Sequence, residues 1–278
     1  MIRFAGLAWK TARWSTTPVR TFVGLWMTRV GVTASDWSWL FKFGTLMMRA
    51  RSLDLFAIQE VLIDREYDTL GRFLRRHPSP TVLDLGANVG AFAAFVFDLC
   101  PEAEVQSVEP SPDTFALLDE NRRRNPSFRW DAVHAAVWIR EGTVSFASAG
   151  PSTGRRLVIA PSAHQVPAVT LDTLLTRLSR RSGRVNVLKI DIEGAEGAVL
   201  AATGSRLHLV DVLIVEIHPP EADEASVRRL LSEWFNVIET IPGRASAKPV
   251  LVAYREDSVA TSDDDRQSPV TPGDHTSL

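Results

Sequence analysis

The stretch TVLDLGANVGAFAAF, residues 81–95, joins an apolar strand-like run to a helix-like run through a turn with two glycines four residues apart. Asp84 lies in the run, and Gly86 and Gly90 frame the loop. A strand that enters a helix through glycines lets backbone N–H groups come close to a ligand; the same turn can also serve folding alone. HPSP at residues 77–80 stops any helix before it, because proline removes a donor and restricts its predecessor.

The cadence repeats along the chain. The spacing predicts helical structure over 53–73, with Leu55, Ile58, Val61 and Leu62 as a buried stripe. Strands are expected at 81–85, 104–109 and 130–138, with helices at 91–98 and 113–124 between them. Short strands follow near 143–147 and 156–159, then a helix at 171–178. VNVLKI at 185–190 is apolar on both faces of a strand, as a central parallel strand must be. A helix at 194–202, a buried strand at 210–217, a helix at 224–235 and a terminal hairpin (237–240 with 250–254) complete the pattern. Alternating strands and helices imply a layered α/β sandwich whose ligands gather beyond the carboxyl ends of the strands.

The 278 residues, 45% hydrophobic with a net charge of -2, suit one domain with extensions and give no global signal for nucleic acid. A single cysteine, Cys100, excludes an intrachain disulfide framework and suits a reducing, cytoplasmic compartment. Residues 1–35 carry Arg3, Lys10, Arg13, Arg20 and Arg29 and no acid, together with Trp9, Trp14 and Trp26. This start, within a basic, tryptophan-rich extension over 1–70, is read as a helical cap or as a peripheral membrane contact. No apolar run is long enough to span a bilayer. From Asp257 the acidic tail lacks the apolar side chains needed to offset its ordering entropy, and disorder is expected there. The main domain is placed at 71–256.

Which ligand suits the glycine turn follows from its polar neighbours. A dinucleotide fingerprint wants glycine where Asn88 stands, since the backbone must approach a pyrophosphate there. Asp84 is awkward beside phosphates and useful for an ammonium group. Glu109, at the end of the second strand, can accept hydrogen bonds from both hydroxyls of a ribose. S-adenosylmethionine has an ammonium group, a ribose and no phosphate, and satisfies all three. A dinucleotide-dependent oxidoreductase and a non-catalytic binding module on the same fold are the alternatives.

DLGANVG, SVEPSP, TLDTLL, LKIDIEGAEGAVL and LIVEIHPP, in this order over residues 81–218, resemble the landmarks of the FkbM-type methyltransferase family. The resemblance implies a class I methyltransferase fold, a Rossmann-like three-layer α/β sandwich with a mostly parallel sheet and an antiparallel terminal strand. It implies S-adenosylmethionine as cofactor and transfer of methyl to a hydroxyl oxygen. It places Asp84 and Gly86 at the methionine end, with Ala87, Asn88 and Gly90 shaping the turn. Glu109 would hold the ribose, and Ala135 and Ala136 would lie near the adenine.

Three residues are candidates for the chemistry. Asp191 ends the VNVLKI strand at the mouth of the crevice, and Glu216 and His218 end the neighbouring strand on one side of it. Each could take the proton of an attacking hydroxyl, in the order Asp191, His218, Glu216. Lys189 could orient a carboxylate, and Glu196 reads as a cap of the following helix. Asp191, Glu193, Glu216 and His218 could also ligate a hard cation, but without a diagnostic local motif no metal is assigned. The acceptor, a glycan or small-molecule hydroxyl, would meet variable segments, including Arg155 and Arg156.

Overall fold

The computed structural model describes residues 8–29, 38–51, 54–146, 164–241 and 248–256. The tail from Asp257, Arg155, Arg156 and the strand expected at 156–159 lie outside these.

Pro18–Arg29 forms helix α1, with proline at the first helical position where its missing N–H costs nothing. β1 (Ser38–Phe43) and β2 (Leu46–Arg51) then pair as an antiparallel hairpin. The expectation of a helical extension is corrected here by period-two alternation. Trp39, Phe41, Phe43, Leu46, Met48 and Ala50 are all buried, while the residues between them are not. Helical turns at Leu55–Ile58, Gln59–Ile63 and Gly71–Leu74 follow, and the expected stripe of Leu55, Ile58, Val61 and Leu62 is buried.

β3 (Thr81–Leu85) leads through the glycine turn into α2 (Ala91–Leu99), and β4 (Glu104–Glu109) into α3 (Pro112–Arg124). The strand expected at 130–138 divides into β5 (Arg129–His134) and β6 (Ala136–Val137). β6 leaves the main sheet for a small three-stranded one with β7 (Gly142–Phe146) and β8 (His164–Val169). α4 (Leu171–Ser182), β9 (Val185–Ile190), α5 (Glu196–Thr203), β10 (Val210–Glu216) and α6 (Glu224–Ser232) continue the alternation. β11 (Val237–Thr240) and β12 (Val250–Tyr254) close it.

The main sheet runs β11-β12-β10-β9-β3-β4-β5. β10, β9, β3, β4 and β5 are parallel, and β12 is antiparallel to both its neighbours. The last described strand is thus the antiparallel one, as expected, but it sits one place in from the edge. Val82, Val105, Val187 and Val212 face one apolar layer with α2 and α3. Leu83, Leu85, Leu188 and Leu213 face another with α4, α5 and α6. Two helical layers around one sheet make the three-layer sandwich.

α2 is apolar all round, and Ala91 to Phe97 are all buried. A helix of that kind needs cover on both sides. The sheet covers one side; β2 and the turn at Gln59–Ile63 cover the other. The described part of the extension therefore shares one core with the sandwich. Trp9 and Val19 remain exposed on it. Among the described residues no helix is long and apolar enough to cross a membrane.

The free edge of β2 is satisfied by two amides one helical turn apart on α3. Asn121 Oδ1 accepts from Arg49 N at 2.6 Å and its Nδ2 donates to Arg49 O at 2.9 Å; Asn125 does the same for Met47. Asn121 Nδ2 also donates to Val89 O at 2.9 Å, which ties the hairpin to the glycine turn. Asn121→Ala should lower stability by about 1–3 kcal/mol, because buried backbone groups lose their partners. A denaturant midpoint equal to wild type would remove this strapping role.

Candidate active site

The turn after β3 has a run of left-handed residues: Gly86 at φ 74°, Asn88 at 51° and Gly90 at 90°. Asparagine is among the few side-chain-bearing residues that adopt this conformation readily, which explains its place between two glycines. Every N–H of the turn is already used. Gly86 N and Ala87 N donate to Val108 O, both at 3.0 Å, and Gly90 N to Ala87 O at 2.8 Å. Asn88 N donates to Glu109 Oε2 at 3.0 Å, and Val89 N to Asn88 Oδ1 at 2.8 Å. A pyrophosphate needs free donors, and this turn has none to offer it.

Glu109 is buried at the end of β4, with Oε1 accepting from Ser111 N at 2.9 Å. Each of its oxygens accepts one backbone N–H, and the carboxylate remains an acceptor group at the rim. The donor set at this rim is one of acceptors and carboxylates, suited to a cationic, hydroxyl-bearing, phosphate-free ligand. On that chemistry the residues present fit S-adenosylmethionine. Ala135 and Ala136 follow β5 at the same end of the sheet, with their side chains buried.

Asp84 does not reach the surface of the turn. It is fully buried beneath it, and its neighbour is the chain's own ammonium group: Lys189 Nζ lies 3.2 Å from Asp84 Oδ1. The two are register partners on β3 and β9. Lys189 Nζ also donates to Gly86 O at 3.1 Å and stands 3.6 Å from Asp191 Oδ2. Burial would pull the lysine pKa down, but Asp84 and Asp191 hold it above its usual value. The sequence offered Asp84 as a charge for the ligand; the structure spends it on Lys189, which pins the turn from below.

Beyond the ends of β9 and β10 lies a second cluster. Asp191 follows β9, its N–H donating to Leu85 O at 3.1 Å, and its carboxylate is partly exposed. Glu193 sits in the next turn at φ 54°. Glu196, fully buried at the start of α5, accepts from Ile192 N and Gly194 N and from His218 Nδ1 at 2.8 Å. It therefore does more than cap a helix: it holds the histidine. His218 Nε2 stands 3.1 Å from Glu193 Oε2, 3.6 Å from Asp191 Oδ1 and 3.7 Å from Glu216 Oε1. Lys248, missed in the sequence, reaches Glu193 Oε2 at 3.4 Å and Glu216 Oε1 at 3.7 Å.

The three candidates for the chemistry thus meet at one rim. Their roles divide differently from the sequence ranking. Burial would pull the His218 pKa down, but Glu193, Glu196 and Asp191 push it up to about 10. An imidazole held in its charged form has no lone pair for a substrate proton, which favours Asp191 over His218 as the base. Glu216 is nearly buried beside Lys248. Asp191 combines partial exposure with a position between the glycine turn and the cluster.

A phosphate-free turn at the switch between β3 and β9, in a sheet of this order, defines a class I S-adenosylmethionine-dependent methyltransferase. Residues 84–239, more than half of the chain, match the methyltransferase FkbM domain, and the protein belongs to that family. It is 34% identical over 176 residues to the hexuronic acid methyltransferase AglP of Haloferax volcanii, covering 60% of this chain and 68% of the relative. It is 25% identical over 217 residues to methyltransferase sdnD of Sordaria araneosa, covering 64% and 80%. Among solved structures, TYW2 of P. horikoshii in complex with MeSAdo aligns at 13% identity and a TM-score of 0.42, covering 84% of this chain and 80% of that one. The protein is a methyltransferase and S-adenosylmethionine is its cofactor.

Proposed function

We propose that the protein methylates a hydroxyl oxygen of a sugar, glycolipid or natural product at the rim formed by the ends of β3, β9 and β10. The observation that carries this reading is the side-by-side placement of the saturated glycine turn with Glu109 and the carboxylate cluster around Asp191. A relative that acts, by its name, on a hexuronic acid supports a glycan acceptor.

The cofactor supplies an activated methyl group on a sulfonium. The chain's own work is to bind, orient and accept a proton. Glu109, at the end of β4, receives the ribose hydroxyls on its carboxylate, while Gly86, Ala87, Asn88 and Gly90 give the turn its shape. Ala135 and Ala136 border the adenine. Asp84 acts through Lys189 and does not touch the ligand. Asp191 would hold the acceptor hydroxyl and take its proton, while the methyl group would leave the cofactor's sulfur, which departs as a neutral thioether. Alignment of the reacting atoms contributes several kcal/mol by itself.

Glu109→Gln should bind S-adenosylhomocysteine roughly 5- to 150-fold more weakly, the equivalent of about 1–3 kcal/mol for the lost charged acceptor. Calorimetry on a variant with wild-type circular dichroism checks it, and unchanged affinity would remove the ribose role. The acceptor is tested by labelled methyl transfer to monosaccharides, uronic acids and extracted glycolipids. An alkali-stable methyl ether is the expected product. Label released by mild alkali would mark a carboxyl ester and overturn the hydroxyl assignment.

A further inference from the structure

We propose that Asp191, Glu193 and His218 form a binding site for one divalent cation of the Mn2+ or Mg2+ class at the acceptor side of the rim. One ligand atom from each of the three lies within 4.8 Å of the others. The closest pairs, 3.1 Å and 3.6 Å from His218 Nε2, are near the ~3.0 Å that separates right-angle ligands each about 2.1 Å from a small cation. Two carboxylates and an imidazole are ligands that such ions share with zinc and iron.

The independent sign is the histidine. His218 is 4% exposed, and its Nε2 is buried without a partner in hydrogen-bond geometry. That atom points into the gap between Asp191 and Glu193. Its other nitrogen is fixed by Glu196, which itself is held by two backbone N–H groups. A buried carboxylate that grips Nδ1 and aims Nε2 is the support that metal-binding histidines commonly have.

Charge points the same way. Asp84, Asp191, Glu193, Glu196 and Glu216 crowd this end of the sheet, where Lys189 and Lys248 contact them among the described residues. A divalent ion held among these carboxylates would bring the cluster closer to neutral.

The chemical purpose rests on the methyl-transfer reading: a cation here would bind the acceptor oxygen and ease loss of its proton, with Asp191 Oδ2 still free of it. The binding itself does not depend on that reading. Full-length protein is stripped with EDTA, and Mn2+ is titrated with free Mn2+ read by electron paramagnetic resonance. One Mn2+ per chain is expected, competed by Mg2+. Glu196→Gln should weaken it about 10- to 100-fold, and Glu193→Gln and His218→Ala at least as much. Circular dichroism and melting verify the folded state; Glu193→Gln, the most exposed of the three, guards against a misfolded histidine variant. No saturable Mn2+ binding, or binding equal in wild type and Glu193→Gln, overturns the site. S-adenosylhomocysteine binding by the same stripped protein reports separately on the methyltransferase reading.

Discussion

Asp191→Asn should lower turnover about 10²- to 10⁴-fold, the range typical of a lost proton acceptor, while S-adenosylhomocysteine affinity stays within a few-fold of wild type. The size follows from how the residue is held. Its backbone N–H is fixed to Leu85 O, so the carboxylate sits where β9 meets the glycine turn. Oδ2 faces Lys189 and Oδ1 faces His218, each at 3.6 Å, and these two neighbours set its orientation. Asparagine keeps the shape and removes the charge and the second acceptor oxygen, so a folded variant isolates the chemistry. Steady-state rates with an identified acceptor, beside calorimetry, make the comparison. If saturating Mn2+ restores most of the loss, the residue acts chiefly as a ligand. Near-normal turnover without added metal would show that Asp191 takes no part in proton removal.

The elements that carry the site were legible because their patterns are local. VNVLKI and VDVLIVE are apolar on both faces, which only a central strand explains, and β9 and β10 match them. The glycine turn and Glu109 were legible for the same reason: each requirement is met within a few residues. Four features were not. The hairpin of β1 and β2 carries a clear alternation, but the tryptophans and basic residues before it drew the reading toward helix. β8 is the middle strand of its small sheet yet holds Pro167, opposite Thr143 of β7 and just before the two residues that pair with β6, and a proline in the run argues against a central strand. The partnership of Asp84 with Lys189 depends on β3 and β9 being neighbours, 105 residues apart in the chain, and on their register. The grip of Glu196 on His218 likewise needs the start of α5 and the end of β10 to meet. Strand pairing decides both, and single residues carry no mark of it.

Pairing also sets the second large effect: Gly86→Ala should destabilise the protein by about 2–5 kcal/mol and impair turnover together with it. A left-handed conformation alone costs a side-chain-bearing residue roughly 1–2 kcal/mol. At Gly86, φ is 74°, and a Cβ would lie 1.7 Å from Asp191 O and 2.8 Å from Asp191 C. These are backbone atoms, so no rotamer change relieves the clash. Asp191 could retreat only by stretching its bond to Leu85 O, and the turn only by releasing Val108 O. Overpacking of this kind adds about 1–3 kcal/mol, and a shift of Asp191 by about 1 Å would cost on the order of 10²-fold in rate. Gly183 supplies the control. It has a similar φ of 81° but nothing within 4 Å of its Cβ position, so Gly183→Ala should carry the conformational cost alone. Denaturant midpoints for the two variants separate strain from collision. Equal midpoints would mean that the ends of β3 and β9 can part freely, and the rigid junction assigned to Gly86 and Asp191 would be wrong.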